Sequence, residues 1–285
     1  MSLFDRKSKY GKYFRDKVVI ITGASSGIGL ASAKLFASYG SKVCIAARSE
    51  EKLKAIAEQL NALGHGEVFC VKADVSVEEE CKNIIDKTVE KFGRIDVLVN
   101  NAGLSMRAMF RDLELSVIKR LMDVNFWGTV YCTKYALPWL LQSKGSVVGV
   151  ISIAGFAGLP GRTGYSSSKY AIRGFLDTLR IEHLYDGLHV MVFAPGFTAS
   201  NVRFAALTAD GTAQGETPRD EGKMMSSEEV ADYLAKGLYK RKREMVLTPI
   251  GKTTVLMSKI LPSLCDKLEF MYMAKEPDSP FHKKQ

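Results

Sequence analysis

Short apolar runs rich in Val, Ile and Ala alternate along the chain with longer stretches whose apolar residues recur at helical spacing. The runs Lys17–Thr22, Lys42–Ala47, Glu67–Lys72, Ile95–Val99, Gly145–Ile151, Leu188–Ala194 and Met245–Thr248 predict strands. Their lack of polar alternation is what burial on both faces of a parallel sheet produces. Leu30–Tyr39, Glu50–Leu63, Ser76–Phe92, Asp112 to Ser143, Thr163–Asp186 and Ser226–Lys240 predict helices. Ser25 and Ser26 are placed to cap the first of these, while Ser76 with Glu79 and Ser226 with Glu229 have capping-box spacing. At 285 residues, one large α/β domain is the expected organisation.

The first strand runs straight into Thr22-Gly23-Ala-Ser25-Ser26-Gly27-Ile28-Gly29 and then a helix, the opening unit of a doubly wound fold. Gly23 permits the turn, Gly27 lets backbone N–H groups approach a pyrophosphate, and Gly29 permits close helix–strand packing. The spacing differs from Gly-x-Gly-x-x-Gly, and the same glycines would also serve a tight loop without a ligand. After the second strand the chain has Ala46-Ala47-Arg48, where NAD-selective proteins usually carry an acidic residue. A guanidinium there suits a 2′-phosphate, so NADP(H) is preferred over NAD(H); an ordinary surface arginine is the alternative. Asp74, before Val75, either reaches an adenine amino group or merely forms its turn. Asn100-Asn101-Ala102-Gly103 ends the fourth strand where backbone must pass close to something. Asn125, with Gly128, lies within a predicted helix: a distorted turn freeing a carbonyl for water would give it a purpose, and a surface asparagine is the alternative.

Tyr165 and Lys169 are one helical turn apart, and Ser152 ends the preceding strand. A phenol titrates near about 10, so a proton shuttle at neutral pH needs its charged form stabilised, and a neighbouring ammonium does this through space. Tyr-x-x-x-Lys alone is a weak signal, since Tyr13 and Lys17 repeat it without a serine upstream. Pro195-Gly196-Phe-Thr198 ends the sixth strand with a hydroxyl able to reach a cofactor amide. Residues 199–226 are polar and long for an idle loop, which predicts a substrate lid. From Lys252 to Met273 an apolar stripe, in which Pro262 either interrupts the helix or starts its second half, predicts packing on the domain, a partner subunit or a membrane surface.

A net charge of +9 comes mainly from residues 1–16, expected as a basic tail, and from Lys240-Arg-Lys-Arg243, which reads as the solvated end of a helix. Neither run has the recognition helix or aromatic interleaving of a nucleic-acid module, so none is expected as a partner. Five scattered cysteines and four histidines show no metal or disulfide spacing. With no apolar run near roughly 18 residues, the expected location is the cytoplasm, with peripheral membrane contact through the two termini as a further option.

Taken in order, Thr22-Gly-x-x-x-Gly-x-Gly29, Asp74, Asn100-Asn-Ala-Gly103, Asn125, Ser152, Tyr165-x-x-x-Lys169 and Pro195-Gly196 resemble the short-chain dehydrogenase/reductase family over about Lys17–Thr248. Residues 207–211 and the apolar tail look like its branch with hydroxysteroid dehydrogenases and the mammalian member 7B. The resemblance implies a single Rossmann-type doubly wound parallel sheet of about seven strands with helices on both faces. It also implies hydride exchange between a nicotinamide and a carbonyl or alcohol, and a homodimer or homotetramer. Tyr165 is then the proton donor or acceptor, Lys169 lowers its pKa and holds the nicotinamide ribose, Ser152 orients the reacting oxygen, and Asn125 positions a relay water. Gly23, Ser25, Ser26, Gly27, Ile28, Gly29, Arg48, Asp74, Val75, Asn101, Ala102, Gly103, Pro195, Gly196 and Thr198 form the expected cofactor site. Ser26 departs from the pattern, since many NADP-using relatives have a lysine or arginine there. The expected division is a catalytic domain over 17–250 followed by a tail over 251–285, acting on a lipophilic ketone or alcohol. The competing function is a non-catalytic NADPH-binding sensor or scaffold on the same fold.

Overall fold

The computed structural model describes residues 3–198, 204–215, 224–275 and 279. Strands β1 (Val18–Thr22), β2 (Lys42–Ala47), β3 (Glu67–Lys72), β4 (Val97–Asn100), β5 (Ser146–Val150), β6 (His189–Ala194) and β7 (Glu244–Val246) form one sheet in the order β3-β2-β1-β4-β5-β6-β7. Every pairing is parallel. Successive strand residues feed opposite faces: Val19, Ile21, Val43, Ile45 and Val99 enter one core, and Ile20, Cys44, Leu98 and Val147 the other.

The first core is covered by α1 (Leu3–Phe14), α2 (Gly27–Ser38), α3 (Glu50–Asn61) and α8 (Ser227–Tyr239), through residues such as Phe14, Phe36, Leu53 and Leu234. The second is covered by α4 (Glu78–Phe92), α6 (Gly128–Gln142) and α7 (Thr163–Glu182), through Ile84, Cys132 and Leu176. Helix α5 (Leu115–Leu121) belongs to a smaller cluster with Met106 and Leu207. Asp96 fixes β4 to β1 at the sheet's amino end: its buried carboxylate accepts from the Val18 N–H at 3.0 Å and from Arg94 at 2.7 and 3.0 Å.

Several local expectations are revised. The residues expected as a basic tail form α1, whose Phe14 ring meets Phe36 at 5.0 Å and whose Tyr10 meets Tyr239 at 5.1 Å. The Tyr13–Lys17 pair lies there, with the Lys17 ammonium 4.8 Å from the Tyr13 ring centre. Ser226 and Glu229 form the expected capping box on α8. Ser76 does not cap α4, because its N–H and hydroxyl both donate to Asp74 Oδ1, at 3.0 and 2.7 Å, and Val77 takes the cap position. Ser26 stands at the N-cap of α2 with no side-chain capping bond. The basic run beyond α8 is not simply solvated, since Arg241 donates to the Gly187 and Lys144 carbonyls at 2.6 and 3.3 Å. The distortion expected around Asn125 is a π-helical turn, Met122–Trp127, between α5 and α6. Pro262 starts a new helix, so the apolar tail is a pair, α9 (Pro249–Ile260) and α10 (Pro262–Ala274). Of the expected lid over 199–226, residues 199–203 and 216–223 lie outside the described residues; Leu207 bridges Met106 and Ala213.

His189 sits in β6 with Nε2 2.9 Å from the Lys242 carbonyl and Nδ1 3.0 Å from the Ser146 hydroxyl. A carbonyl can only accept, so the ring is the Nε2–H tautomer and Ser146 donates to Nδ1. Burial above all pushes its pKa down to about 4 from the ordinary 6.5. Between those values the unfolded chain binds the proton and the folded one resists it, so stability falls as pH drops through that window. The full loss is about 3 kcal/mol at ~1.4 kcal/mol per pKa unit. Urea titrations between pH 7 and pH 4 should therefore show a shallower acid loss in His189→Gln than in wild type; parallel losses would mean that the histidine titrates normally.

Candidate active site

The strand order reverses at β1, with β2 on one side and β4 on the other, and the helices that follow β1 and β4 cover opposite faces, α2 one and α6 the other, which leaves a crevice at the strands' carboxyl ends. There a cleft of about 1010 Å³ opens. Its floor depends on close backbone approach. Gly23 has φ +66°, and a Cβ on it would lie 2.8 Å from Ala102 Cα; one on Gly29 would lie 2.6 Å from Asn101 Nδ2. The two turns are tied by Asn101 Nδ2 donating to the Thr22 and Gly23 carbonyls, at 2.9 and 3.3 Å. Thr22 Oγ1 accepts from the N–H groups of Asn101 and Ala102, at 3.1 and 3.0 Å.

The cleft is lined by Gly23, Ser25, Ser26, Gly27, Ile28, Arg48, Asp74, Val75, Asn101, Ala102 and Gly103, all among the residues the sequence singles out for a dinucleotide. Gly29 packs behind it. Asp74 lines the cleft and forms its turn as well, since Oδ1 accepts both bonds from Ser76. Lys52, one turn into α3, joins Arg48 on this wall; at sequence level it was indistinguishable from other surface lysines.

The same cleft brings together Ser152, Tyr165 and Lys169, Ser152 from the end of β5 and the others from one face of α7, with Gly103 so close that a Cβ on it would lie 3.4 Å from Lys169 Nζ. The Ser152 hydroxyl accepts from the Ala154 N–H at 3.2 Å and lies near enough to the Tyr165 phenol to draw its pKa down. The Lys169 ammonium donates to the Val150 carbonyl at 2.9 Å and lies 5.6 Å from the Tyr165 ring centre. Burial is the main influence on both groups: it raises the phenol's pKa and pushes the ammonium down to about 8. The influences that lower the phenol are the Ser152 hydroxyl and the charge of Arg162, rather than the ammonium expected to do so. Arg162 is buried in the cleft wall and carried no role in the sequence reading.

Asn125 is buried behind this group. Its Oδ1 accepts from the Leu104 N–H at 2.7 Å, and its Nδ2 donates to the Leu104 carbonyl at 3.0 Å and to Ser168 Oγ at 2.9 Å. Its own carbonyl, expected to hold a water, accepts from the Thr129 hydroxyl at 2.8 Å. Pro195, Gly196 and Thr198 line the cleft too, and the Thr198 hydroxyl donates to the Gly196 carbonyl at 3.1 Å.

The far wall is built by α9 and α10, with Met257 and Glu269 part-buried in it and Ile250, Leu268, Met271 and Tyr272 lining its exposed edge. The apolar stripe had pointed to packing without showing that it faced the site. Burial, with the charge of Asp266 second, pushes the Glu269 carboxyl up to about 7.

A doubly wound parallel sheet with this crevice defines a Rossmann-type protein. The family model for short chain dehydrogenases matches residues 17–209, and the chain belongs to that family, whose members are oxidoreductases. Among relatives, 11-beta-hydroxysteroid dehydrogenase 1A of Arabidopsis thaliana is 39% identical over 76% of this chain and 59% of its own length. This chain thus spans about three-fifths of that plant relative. Dehydrogenase/reductase SDR family member 7B of Xenopus tropicalis is 31% identical over 94% of this chain and 88% of the relative. Among solved structures, an alcohol dehydrogenase from Thermococcus sibiricus complexed with 5-hydroxy-NADP superposes with TM-score 0.71 at 28% identity, covering 82% of this chain and 96% of the other. A Burkholderia phymatum family member in complex with NAD shares the fold, with TM-score 0.79 at 23% identity over 88% and 95% of the two chains.

The Lys169 ammonium at about 8 against an ordinary 10.5 marks a charge held at a cost to folding, about 3 kcal/mol at ~1.4 kcal/mol per unit. That cost is complete below pH 8 and fades as pH rises to 10.5, because over that window the unfolded chain holds the proton that the folded one gives up. Lys169→Met should therefore melt higher than wild type at pH 7, its lead narrowing toward pH 10. A lower melting temperature at pH 7 would show the ammonium to be net stabilising.

Proposed function

We propose that this chain is an NADP(H)-dependent oxidoreductase interconverting a ketone and a secondary alcohol on a lipophilic, lipid-like substrate, with Tyr165 as general acid and base. What carries the reading is the convergence of Ser152, Tyr165 and Lys169 in one cleft with the glycine turn, opposite a wall of apolar side chains. The turn fits a dinucleotide: Gly23 and Gly29 leave no room for side chains, Gly27 has φ +53°, and the N-terminus of α2 has no side-chain cap to compete with a phosphate.

When bound, a nicotinamide supplies or accepts the hydride. The chain's part is to place the carbonyl oxygen and handle one proton. Ser152 donates a hydrogen bond to that oxygen, and Tyr165 gives it a proton from Oη as negative charge develops, or takes one in the reverse direction. The resulting phenolate is stabilised by the Ser152 hydroxyl and the charge of Arg162. Lys169 holds the ribose of the cofactor. Asn125 acts from behind: by fixing Leu104 and Ser168 it sets the spacing between the β4 turn and α7.

Arg48 and Lys52 support the cofactor preference, since two cations on the wall beyond β2 favour a 2′-phosphate over a bare ribose. The apolar side chains of α9 and α10 that line the cleft support an apolar substrate, as do the plant relatives named for a steroid.

Two variants test the reading. Tyr165→Phe should bind NADPH like wild type, by fluorescence titration, yet turn over sterol and keto-lipid ketones on the order of a thousandfold more slowly, consistent with loss of a positioned proton donor. Near-normal turnover would remove the tyrosine from the chemistry. Arg48→Glu should raise KM for NADPH by roughly tenfold or more while leaving kcat largely intact, as loss of a charge-assisted phosphate contact implies. An unchanged KM would place the 2′-phosphate elsewhere.

A further inference from the structure

Helices α9 and α10 are apolar on two sides. Val255, Cys265 and Met273 are buried inward, while Leu256, Ile260, Leu261, Leu264, Leu268 and Met271 are each 45 to 65% exposed. Leu264, Leu268 and Met271 follow one another at helical spacing, as do Leu256 and Ile260, so each helix presents a continuous apolar stripe to solvent. Single exposed leucines are ordinary, but a contiguous group of this size marks a surface meant to be covered.

Two features identify the cover. Exposed lysines border the stripes: Lys252 and Lys259 lie one turn either side of Leu256, and Lys267 and Lys275 lie along α10. Lys242, Lys252 and Lys259 surround Leu256 in a shallow depression, with Glu244 as its acidic member, and Asp266 is the exposed acid of α10. Apolar side chains ringed by lysine ammoniums complement an anionic lipid surface, where the former enter the acyl boundary and the latter meet headgroup phosphates. The second feature is continuity: Ile250, Leu268, Met271 and Tyr272 belong both to the exposed apolar surface and to the lining of the cleft. The apolar path therefore runs from outside to the far wall of the site. Among the described residues no helix is long and apolar enough to cross a membrane, so contact through α9 and α10 would lie along the surface.

We infer that the α9–α10 face docks on an anionic lipid bilayer, so that the mouth of the cleft opens against the membrane and an apolar substrate passes from lipid to Tyr165 without crossing water. The docking stands on the surface alone; the passage of substrate rests on the function proposed above.

The test uses the full chain, with no cofactor or substrate present, and sedimentation with vesicles of phosphatidylcholine alone or with phosphatidylserine. The protein should pellet with the mixed vesicles, less so at high salt, and weakly with phosphatidylcholine alone. Leu261→Asp with Leu264→Asp should weaken binding by roughly tenfold or more, since burying two carboxylates replaces burying two leucines. Lys259→Glu with Lys267→Glu should abolish the preference for phosphatidylserine. None of these four residues lines the cleft, so turnover of a detergent-solubilised ketone should survive in both variants. Equal binding by both variants and wild type, or no binding to either vesicle, overturns the docking. A change of molar mass by light scattering in the leucine variant, without a change in vesicle binding, assigns the face to a second copy of the chain instead. Vesicle binding in a protein that reduces no ketone would leave the docking standing and sink the proposed function, so the two failures are told apart.

Discussion

The cleft depends on a close approach of two backbones. Where β1 and β4 end, the Gly23 turn and the Asn101–Ala102 turn are in contact, held by Thr22 and Asn101 through bonds that each turn makes to the other. From there the constraint passes along the chain: Gly103 lies against Asn125, where a Cβ would come 3.1 Å from Oδ1, and Asn125 holds Leu104 and Ser168. Ser168 in turn donates to the Tyr165 carbonyl at 2.7 Å. A continuous set of short polar contacts thus registers the glycine turn against the helix that carries the tyrosine. The hydride transfer proposed above would tolerate little error in distance between two reactants, and this is the part of the molecule that would set it.

Around that frame, stability and chemistry pull in opposite directions. An interior ammonium and a π-helical turn both lower stability, and they lie at the cleft. The two apolar layers on either side of the sheet offset them, since the strands nearest the site, β1, β4, β5 and β6, are buried along their whole length. At the opposite end of the sheet, Asp96 and His189 show the contrary practice: each buried polar group has its partners, and no reactivity is asked of either.

Much of this was legible in the sequence because strand burial and backbone geometry leave strong marks. Uninterrupted Val and Ile runs gave away the parallel sheet, and Gly23, Gly27 and Gly29 marked the tight turn between a strand and a helix at the cleft. Capping was legible only where nothing competed: Ser226 behaves as its spacing implies, while Ser76 is captured by Asp74 two residues away. Residues brought to the cleft by tertiary contact left no local mark. Arg162 looks like any arginine beside a helix start, and Glu269 and Met257 look like ordinary members of an amphipathic helix until α9 and α10 fold back over the site. The same holds for α1, whose lysines hid the aromatic residues that carry it into the core.

The wall formed by α9 and α10 lies beyond residues 17–209, the segment that matches the family model. Neither the pairing of the strands nor the contact between the two turns draws on it. Selection could therefore replace this terminal hairpin wholesale, trading one repertoire of substrates for another, while the reaction itself is inherited unchanged.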